Sequence, residues 1–380
     1  MEFFTFNFNP TSLPKNVFQT SLDTSGNWIK YGTDNLLPNK FIELNNLSPT
    51  HGGIINRKAD YTAGASIDYT NNSPEFKLWA ELCNWEDGLH SLVKNCALDL
   101  HTYGGYCIQV LWNLDGTIHN IYYQDFSQIR RGFHKDINRK KATPNVYDQG
   151  IYISADWKNK RQFTPEFYEF FKVLSPENEV PREPVYLYYY RKAQGYRWYP
   201  VPDWYSGLKT IQSEIDLINY VYNNINQSFN PSGILKVPAT LTPTDQEAFK
   251  NRIKGELSGT DNSGKILTVF ADGDKAVEWL PLDNSPDKRP ITETNDVVVQ
   301  KIISAHKLPS PTIIGLPGGA SISGDGNTIA IATKEFYNQT ILPARQEILN
   351  NINKLIKLAG FNETITIKEN IPYLDGQTDN

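Results

Sequence analysis

The stretch SGTDNSGKIL, residues 258–267, comes within one side chain of a phosphate-binding loop. Gly259, a run of four residues that includes Asn262, then Gly264 and Lys265 fill the first seven places of G-x-x-x-x-G-K-[ST]. Ile266 stands where a hydroxyl would hold Mg²⁺. A phosphate loop also needs a strand before its first glycine and a helix opening at its lysine, so that backbone amides face the anion. Here the polar helical pattern TPTDQEAFKNRIKGEL, capped by Thr242 or Thr244, comes first and the apolar, β-branched KILTVF follows. The order is reversed. SGTDNSG reads as a helix-to-strand loop, and Lys265 as a residue without a catalytic role.

Other chemistry-bearing residues are sparse. Cys83, His90, Cys96, His101 and Cys107 fall within one segment, but their spacings match neither C-x-x-C pairs nor the usual histidine pairs. Cys96 shares a helical face with Leu89 and Leu92, so the set reads as core cysteines and surface histidines, with no metal and no cofactor. No G-x-S-x-G nucleophile elbow is present, and the six histidines have no suggestive Ser or Asp close in sequence. The aromatic run VYLYYYRKAQGYRWYPVPDWY could stack bases or sugars, although such residues more commonly fill sheet cores and cross-strand pairs.

The elements that must carry these residues follow from periodicity. Residues 1–200 read as an α+β unit with one helical stretch, FKLWAELCNWEDGLHSLVKNCALDLHTYG, interrupted near Gly88. YCIQVLW and GTIHNIYY read as strands joined at LDG, with further strands at GIYIS and PVYLYYYR and a hairpin partner for the latter at YRWYP. The basic run RRGFHKDINRKK reads as an exposed loop. From Ser206 the pattern changes: Leu208, Ile211, Ile215, Ile218, Tyr222, Ile225 and Phe229 keep a 3-4-3-4 spacing, which lays an apolar seam along one long helix. NPSG ends that helix. A compact insert follows, with strands ILKV, KILTVF and AVEWLPL around the helix already described, and then a second helix across ETNDVVVQKIISAHK. The segment PSPTIIGLPGGASISGDGN, residues 309–327, holds three prolines and five glycines and suits no regular element. A final helix runs from about Thr328 to Leu358, bent or opened at Pro343.

The totals bound the function. A chain of 380 residues with 39% apolar and 21% charged side chains is a folded protein of two or three packed units. Three cysteines are too few for a disulfide framework and suit a reducing compartment. MEFFTFNFNP lacks the basic and apolar regions of a signal peptide, and no apolar run approaches a membrane span. A net charge of -5 argues against a protein whose main task is gripping phosphates, yet leaves room for one past which nucleic acid slides.

From residue 204 onward the order of parts resembles the portal proteins of tailed bacteriophages. The likeness is carried by DWYSGLKTIQSEIDLINYVYNNINQSFNPSGILKV, GTDNSGKILTVF, IISAHKLPSPTIIGLPGGASISGDGN and KEFYNQTILPARQEILNNIN. Earlier, NLLPNKFIELNNLSPTHGGIINRKADYTAGASI and GGYCIQVLW are similar to the start of that family's wing domain. The resemblance implies a portal-like α+β fold: an α/β wing over 1–203, a stem helix over 204–229, a small α/β clip over 230–290 and a return stem helix over 291–308. A tunnel loop over 309–327 and a long kinked helix with a short crown or tail over 328–380 complete it. It further implies a non-enzymatic homo-oligomeric ring, a dodecamer, at one capsid vertex, through which double-stranded DNA is packaged and ejected. Terminase, capsid and adaptor proteins are the implied partners, no membrane is involved, and the protein resides in the virion after assembly in the host cytoplasm.

Three groups of residues then acquire expected places. Leu208, Ile211, Ile215, Ile218, Tyr222 and Ile225 form a stem seam; Gly315, Pro317, Gly318, Gly319, Ser321, Gly324, Asp325 and Gly326 belong to the tunnel loop; Gly259, Asn262, Gly264 and Lys265 form a clip loop. Physical reasoning points the same way, since a heptad seam followed by an insert and a returning helix is a spoke that needs neighbours to cover it. Two other readings stand beside this one: a nucleotide-binding or nucleic-acid-processing enzyme, and an aromatic-rich structural or carbohydrate-binding protein.

Overall fold

The computed structural model describes residues 27–85, 87–132, 150–172, 180–193, 198–227, 231–238, 265–271, 278–281, 288–315 and 326–370, together with 244, 247 and 248. The chain divides into two compact units, Met1–Lys209 with Lys301–Asn380, and Thr210–Gln300.

The larger unit opens with helices α1 (Leu37–Leu47) and α2 (Pro49–Ala63), which the sequence pattern does not announce. Ser48 separates them and starts the second: its hydroxyl accepts from the His51 amide at 3.1 Å, and Pro49 in the first turn lacks only an N–H that would have no helical partner. The two helices pass closely at Gly52, where an added Cβ would collide with the backbone carbonyl of Asn45. Strand β1 (Ser66–Asp68) follows, then α3 (Pro74–Leu82) and α4 (Gly88–Tyr103), so the interruption expected near Gly88 is present, with Gly88 at φ 66°. Gly104 closes α4 in the left-handed conformation (φ 86°) and turns the chain into β2 (Gly105–Trp112).

Strands β2 and β3 (Ile118–Gln124) form the expected hairpin at Leu114-Asp115-Gly116, where the Asp115 carboxylate accepts from the Thr117 amide at 2.9 Å. Strands β4 (Ile129–Gly132), β5 (Gly150–Ile153) and β6 (Glu166–Glu169) make a separate antiparallel sheet. Strand β7 (Val185–Tyr190) pairs with β2, giving the order β3-β2-β7; Trp198–Pro200, the described part of YRWYP, form no strand. Tyr196 and Arg197 lie outside the described residues; β7 pairs on one edge with β2, with Ile108 opposite Leu187 and Val110 opposite Val185, and on the other is met at Tyr186 by Phe170 in a parallel bridge.

RRGFHKDINRKK is not an exposed loop at its start. Arg130 and Arg131 belong to β4 and are buried. The Arg130 guanidinium donates to the Asn35 side chain (2.6 Å) and to the carbonyls of Asn35 (2.6 Å), Ser127 (2.8 Å) and Ile129 (2.7 Å), and lies 4.8 Å from the Trp157 ring. Burial is tolerable because donors that lose water find carbonyls. Residues 133–141 of that run lie outside the described residues.

Helix α5 (Leu208–Gln227) leads out of the larger unit. In the smaller unit, β8 (Pro231–Pro238) pairs in parallel with β9 (Lys265–Ala271) and antiparallel with β10 (Glu278–Pro281). A parallel pair needs a crossover, and Thr244, Glu247 and Ala248 within it are helical. Helix α6 (Lys288–Ala305) leads back. After a 3₁₀ turn at Pro311–Ile314 come α7 (Gly326–Phe336), a π-helical turn at Tyr337–Ile341 and α8 (Leu342–Leu358). The opening expected at Pro343 is that π turn: the ring presses on the carbonyl four residues back and supplies no N–H, so the helix widens just before it.

The core of the larger unit gathers Leu92, Val93 and Cys96 of α4, Ile108 and Val110 of β2, and Ile348, Ile352 and Leu355 of α8, all with essentially no exposure. Strand β11 (Thr366–Lys368) then pairs antiparallel with β1. Arg345 of α8 secures this closure by donating to the last carbonyls of α2, Tyr61 (2.7 Å) and Thr62 (2.9 Å), while pairing with Glu369.

The contact of α1 with α2 yields a paired test in thermal or urea denaturation. Gly53→Ala, with nothing within 4 Å of the added carbon, should stabilise by roughly 0.5–1 kcal/mol. Gly52→Ala should destabilise by about 2 kcal/mol or more. Equal effects would refute the close passage.

Candidate functional site

The residues on either side of 210–300 are fastened inside the larger unit by one buried polar cluster. Lys58 of α2, 4% exposed, donates its ammonium to the carbonyl of His306 at 2.7 Å. His306 directly follows α6, so the cation sits at the carbonyl end of that helix. His51 Nδ1 and His306 Nε2 lie 2.8 Å apart, and the His51 ring meets Trp204 nearly edge-on at 4.3 Å. Trp204, four residues before α5, donates its indole N–H to the carbonyl of His101 at 3.1 Å, while His101 Nε2 bonds with the Thr62 hydroxyl at 2.8 Å.

Loss of water decides the protonation states. Burial pushes Lys58 down to about 7, opposed by Asp203, and pushes His51 down to about 3, helped by the Lys58 charge. His101 and His306 are driven well below the ordinary histidine value for the same reasons. Neutral rings let one imidazole donate and the other accept across the His51–His306 bond. His101 is thus a core histidine and not the surface residue its sequence context suggests. The cluster is an anchor, and its sequence signal is nil because Lys58 and His306 are 248 residues apart.

The seam expected along α5 divides in two. Leu208, Ile211 and Ile215 are buried, whereas Ile218 is 41% and Tyr222 63% exposed. Tyr220 and Val221 are exposed beside them, as is Val297 of α6. Ile225 lies on α5 with its side chain outside the described residues, and Phe229 is outside altogether. Of the segment 309–327, Gly315 ends the 3₁₀ turn at φ 80°, and Gly326 is the first residue of α7. Pro317, Gly318, Gly319, Ser321, Gly324 and Asp325 lie outside the described residues, as do Gly259, Asn262 and Gly264. Lys265 opens strand β9 rather than a helix, an arrangement that gives a phosphate no helix N-terminus.

Cys83, Cys96 and Cys107 are buried and free, and burial pushes the Cys83 thiol up to about 12. Among the described residues no group of three or more His, Cys, Asp or Glu is placed to hold a metal, and no helix is long and apolar enough to cross a membrane.

The chain is similar in fold to solved structures. The virion of a native gene transfer agent (GTA) particle contains a chain 14% identical, with TM-score 0.59 over 89% of this chain and 85% of that one. The neck of a native GTA particle with C12 symmetry matches at the same identity and TM-score, over 89% of this chain and 87% of that one. An HK97 family phage portal protein from Corynebacterium diphtheriae is 10% identical with TM-score 0.46, covering 86% of this chain and 95% of that one. No curated protein matches. The family model described as phage portal protein matches residues 61–376, and the chain belongs to that family.

The buried histidines set an acid limb of stability. His51 ionises at about 3 when folded and near 6.5 when unfolded. Between those values the unfolded chain takes a proton that the folded chain excludes, so the stability is full above 6.5 and is lost on acidification, by roughly 1.4 kcal/mol per pH unit for such a group. Asp99, raised by burial, acts with the opposite sign but is common to both proteins compared. In urea titrations between pH 6 and 4, His51→Gln should lose stability less steeply than the parent by about that slope. Parallel slopes would refute the buried neutral His51.

Proposed function

We propose that this portal-family chain assembles into a dodecameric ring at one capsid vertex, forms the channel for double-stranded DNA during packaging and ejection, and docks terminase and head–tail adaptors. The observation that carries the assembly reading is the open half of the α5 seam. Ile218, Val221 and Tyr222 stand exposed on one helix in a single copy of the chain. Full burial of an apolar side chain contributes roughly 1.5–3 kcal/mol, so covering each of these partly exposed ones adds a fraction of that, which a neighbouring copy supplies in a closed ring. A ring symmetry of twelve is that of the GTA neck.

In this reading residues 1–203 are the wing, α5 and α6 the stem, 230–290 the clip with Gly259, Asn262, Gly264 and Lys265 in its loop, and 309–327 the tunnel loop. Residues 328–380 form the kinked helix and a short crown or tail. The proposed tunnel loop has a single charged side chain, Asp325, and five glycines. It adapts to a moving helical surface without the phosphate contacts that would slow DNA. A net charge of -5 serves the same end. The ring is a virion component, assembled in the host cytoplasm and without enzymatic activity of its own; the motor that consumes nucleotide is a separate protein.

Two outcomes are expected. Ile218→Asp should leave the chain folded with nearly unchanged thermal stability but abolish rings in mass photometry, whereas Ile215→Asp, at a buried site, should cost several kcal/mol and unfold it. Normal rings from Ile218→Asp would contradict the seam. Deleting residues 317–325 should preserve rings yet impair filling or retention of DNA in assembled heads; heads that fill and hold DNA normally would contradict the loop assignment.

A further inference from the structure

The outward face of α3 is apolar where a surface helix is ordinarily polar. The helix buries Phe76 and Ala80, and on its opposite side Leu78, Leu82 and the following Trp85 keep a 4-3 spacing at 59%, 58% and 69% exposure. Glu75 and Glu81, both exposed, edge this stripe on its two sides. The one lysine of the helix, Lys77, acts on Glu363 instead. Trp85 stands at φ 54°, a left-handed conformation that is costly for a bulky residue and after a helix usually falls to glycine or asparagine. The stripe is an acid-edged apolar surface.

Its counterpart lies at the other end of the row of strands. Trp79 donates to the His119 carbonyl at 3.3 Å and the Ile121 amide donates to the Cys83 carbonyl at 2.9 Å, so α3 runs along the outer edge of β3. From there the row passes through β2 and β7, across the Phe170–Tyr186 bridge, and through β6 and β5 to β4, which Trp28 borders at Gly132. The loop between β5 and β6 folds over that far border: the Trp157 indole donates to the Gln128 carbonyl at 2.8 Å and its ring meets Trp28 at 5.3 Å. This loop is basic. Lys158 and Arg161 are exposed, Lys160 lies over the Trp28 ring at 5.2 Å, and Phe163 is 38% exposed beside them. Its one acid, Asp156, accepts from the Lys158 amide at 2.8 Å.

Opposite charge on opposite ends suits a head-to-tail contact, the kind that closes into a ring. Pairing α3 with α3 of another copy would set glutamate against glutamate, so a self-complementary contact is disfavoured. Tryptophan and arginine are also the side chains on which interfaces most depend. We infer that the α3 face, through Leu78, Leu82 and Trp85 between Glu75 and Glu81, docks on the β5–β6 loop of the next copy of this chain, at Lys158, Arg161 and Phe163. The inference rests on the ring reading and names a second subunit contact, apart from the α5 seam.

The test is a charge swap in the full chain, read by mass photometry and thermal melting. One variant carries Glu75→Lys with Glu81→Lys, and the other Lys158→Glu with Arg161→Glu. All four sites are exposed, so both variants should melt like the parent, yet each alone should need at least about tenfold more protein to assemble, because like charges now meet. Mixed in equal amounts, they should assemble as the parent does, since each acidic face again meets a basic one. Both remain net negative, so overall charge does not draw them together. Trp85→Gly should keep or raise the melting temperature, because glycine adopts φ 54° freely, while weakening assembly roughly tenfold. Parent-like assembly of either swapped variant alone, or of Trp85→Gly, would overturn the inference and leave these surfaces to other partners, as would failure of the mixture to associate. The ring reading fails separately, if the parent forms pairs or open chains that never close; in that case too, association on mixing supports this contact and its absence overturns it.

Discussion

One buried ammonium group fixes the plan of the molecule. Lys58 reaches the carbonyl of His306 just after α6, and the histidine it touches bonds to His51, whose ring packs on Trp204 just before α5. The chain leaves its main unit for 91 residues, Thr210–Gln300, and both flanks of that excursion are held to α2, the outgoing one also to α4. Burying a lysine is costly without good partners. The carbonyl end of a helix is such a partner, and the neutral state of the surrounding imidazoles avoids adding like charge beside it.

The same economy recurs at the other end of the unit. Arg345 donates to the last carbonyls of α2 and pairs with Glu369, while β1 and β11 join the beginning and end of the folded core. A helix C-terminus met by a cation thus secures α6 through Lys58 and α2 through Arg345. Both contacts span long separations in sequence, so the unit holds its shape by a few charged bonds laid over the apolar core of α4, α8 and β2.

Local signals carried a good part of this fold. The break at Gly88, the hairpin at Asp115-Gly116, the long helix after Ser206 and the opening before Pro343 each depend on residues within a turn or two of one another. What escaped depends on partners far away. Helices α1 and α2 are short, with weak apolar faces, and only Ser48-Pro49 marks their junction. Arg130 and Arg131 look solvated because charge implies exposure until Asn35, three carbonyls and a ring of aromatic residues are brought to them. His101 misled for the same reason. Along α5 the seven-residue rhythm reveals a seam but cannot separate Ile211 and Ile215, covered within the chain, from Ile218 and Tyr222, left open. That distinction matters most for function, since it separates folding from assembly.

The central claim is that the open seam closes against identical neighbours around a channel. Electron micrographs of the purified full-length protein test it most directly. The account predicts ring-shaped particles with a central hole and twelve-fold end views. Discrete single-chain particles, folded and stable yet never forming closed rings in the protein or in assembled heads, would contradict it.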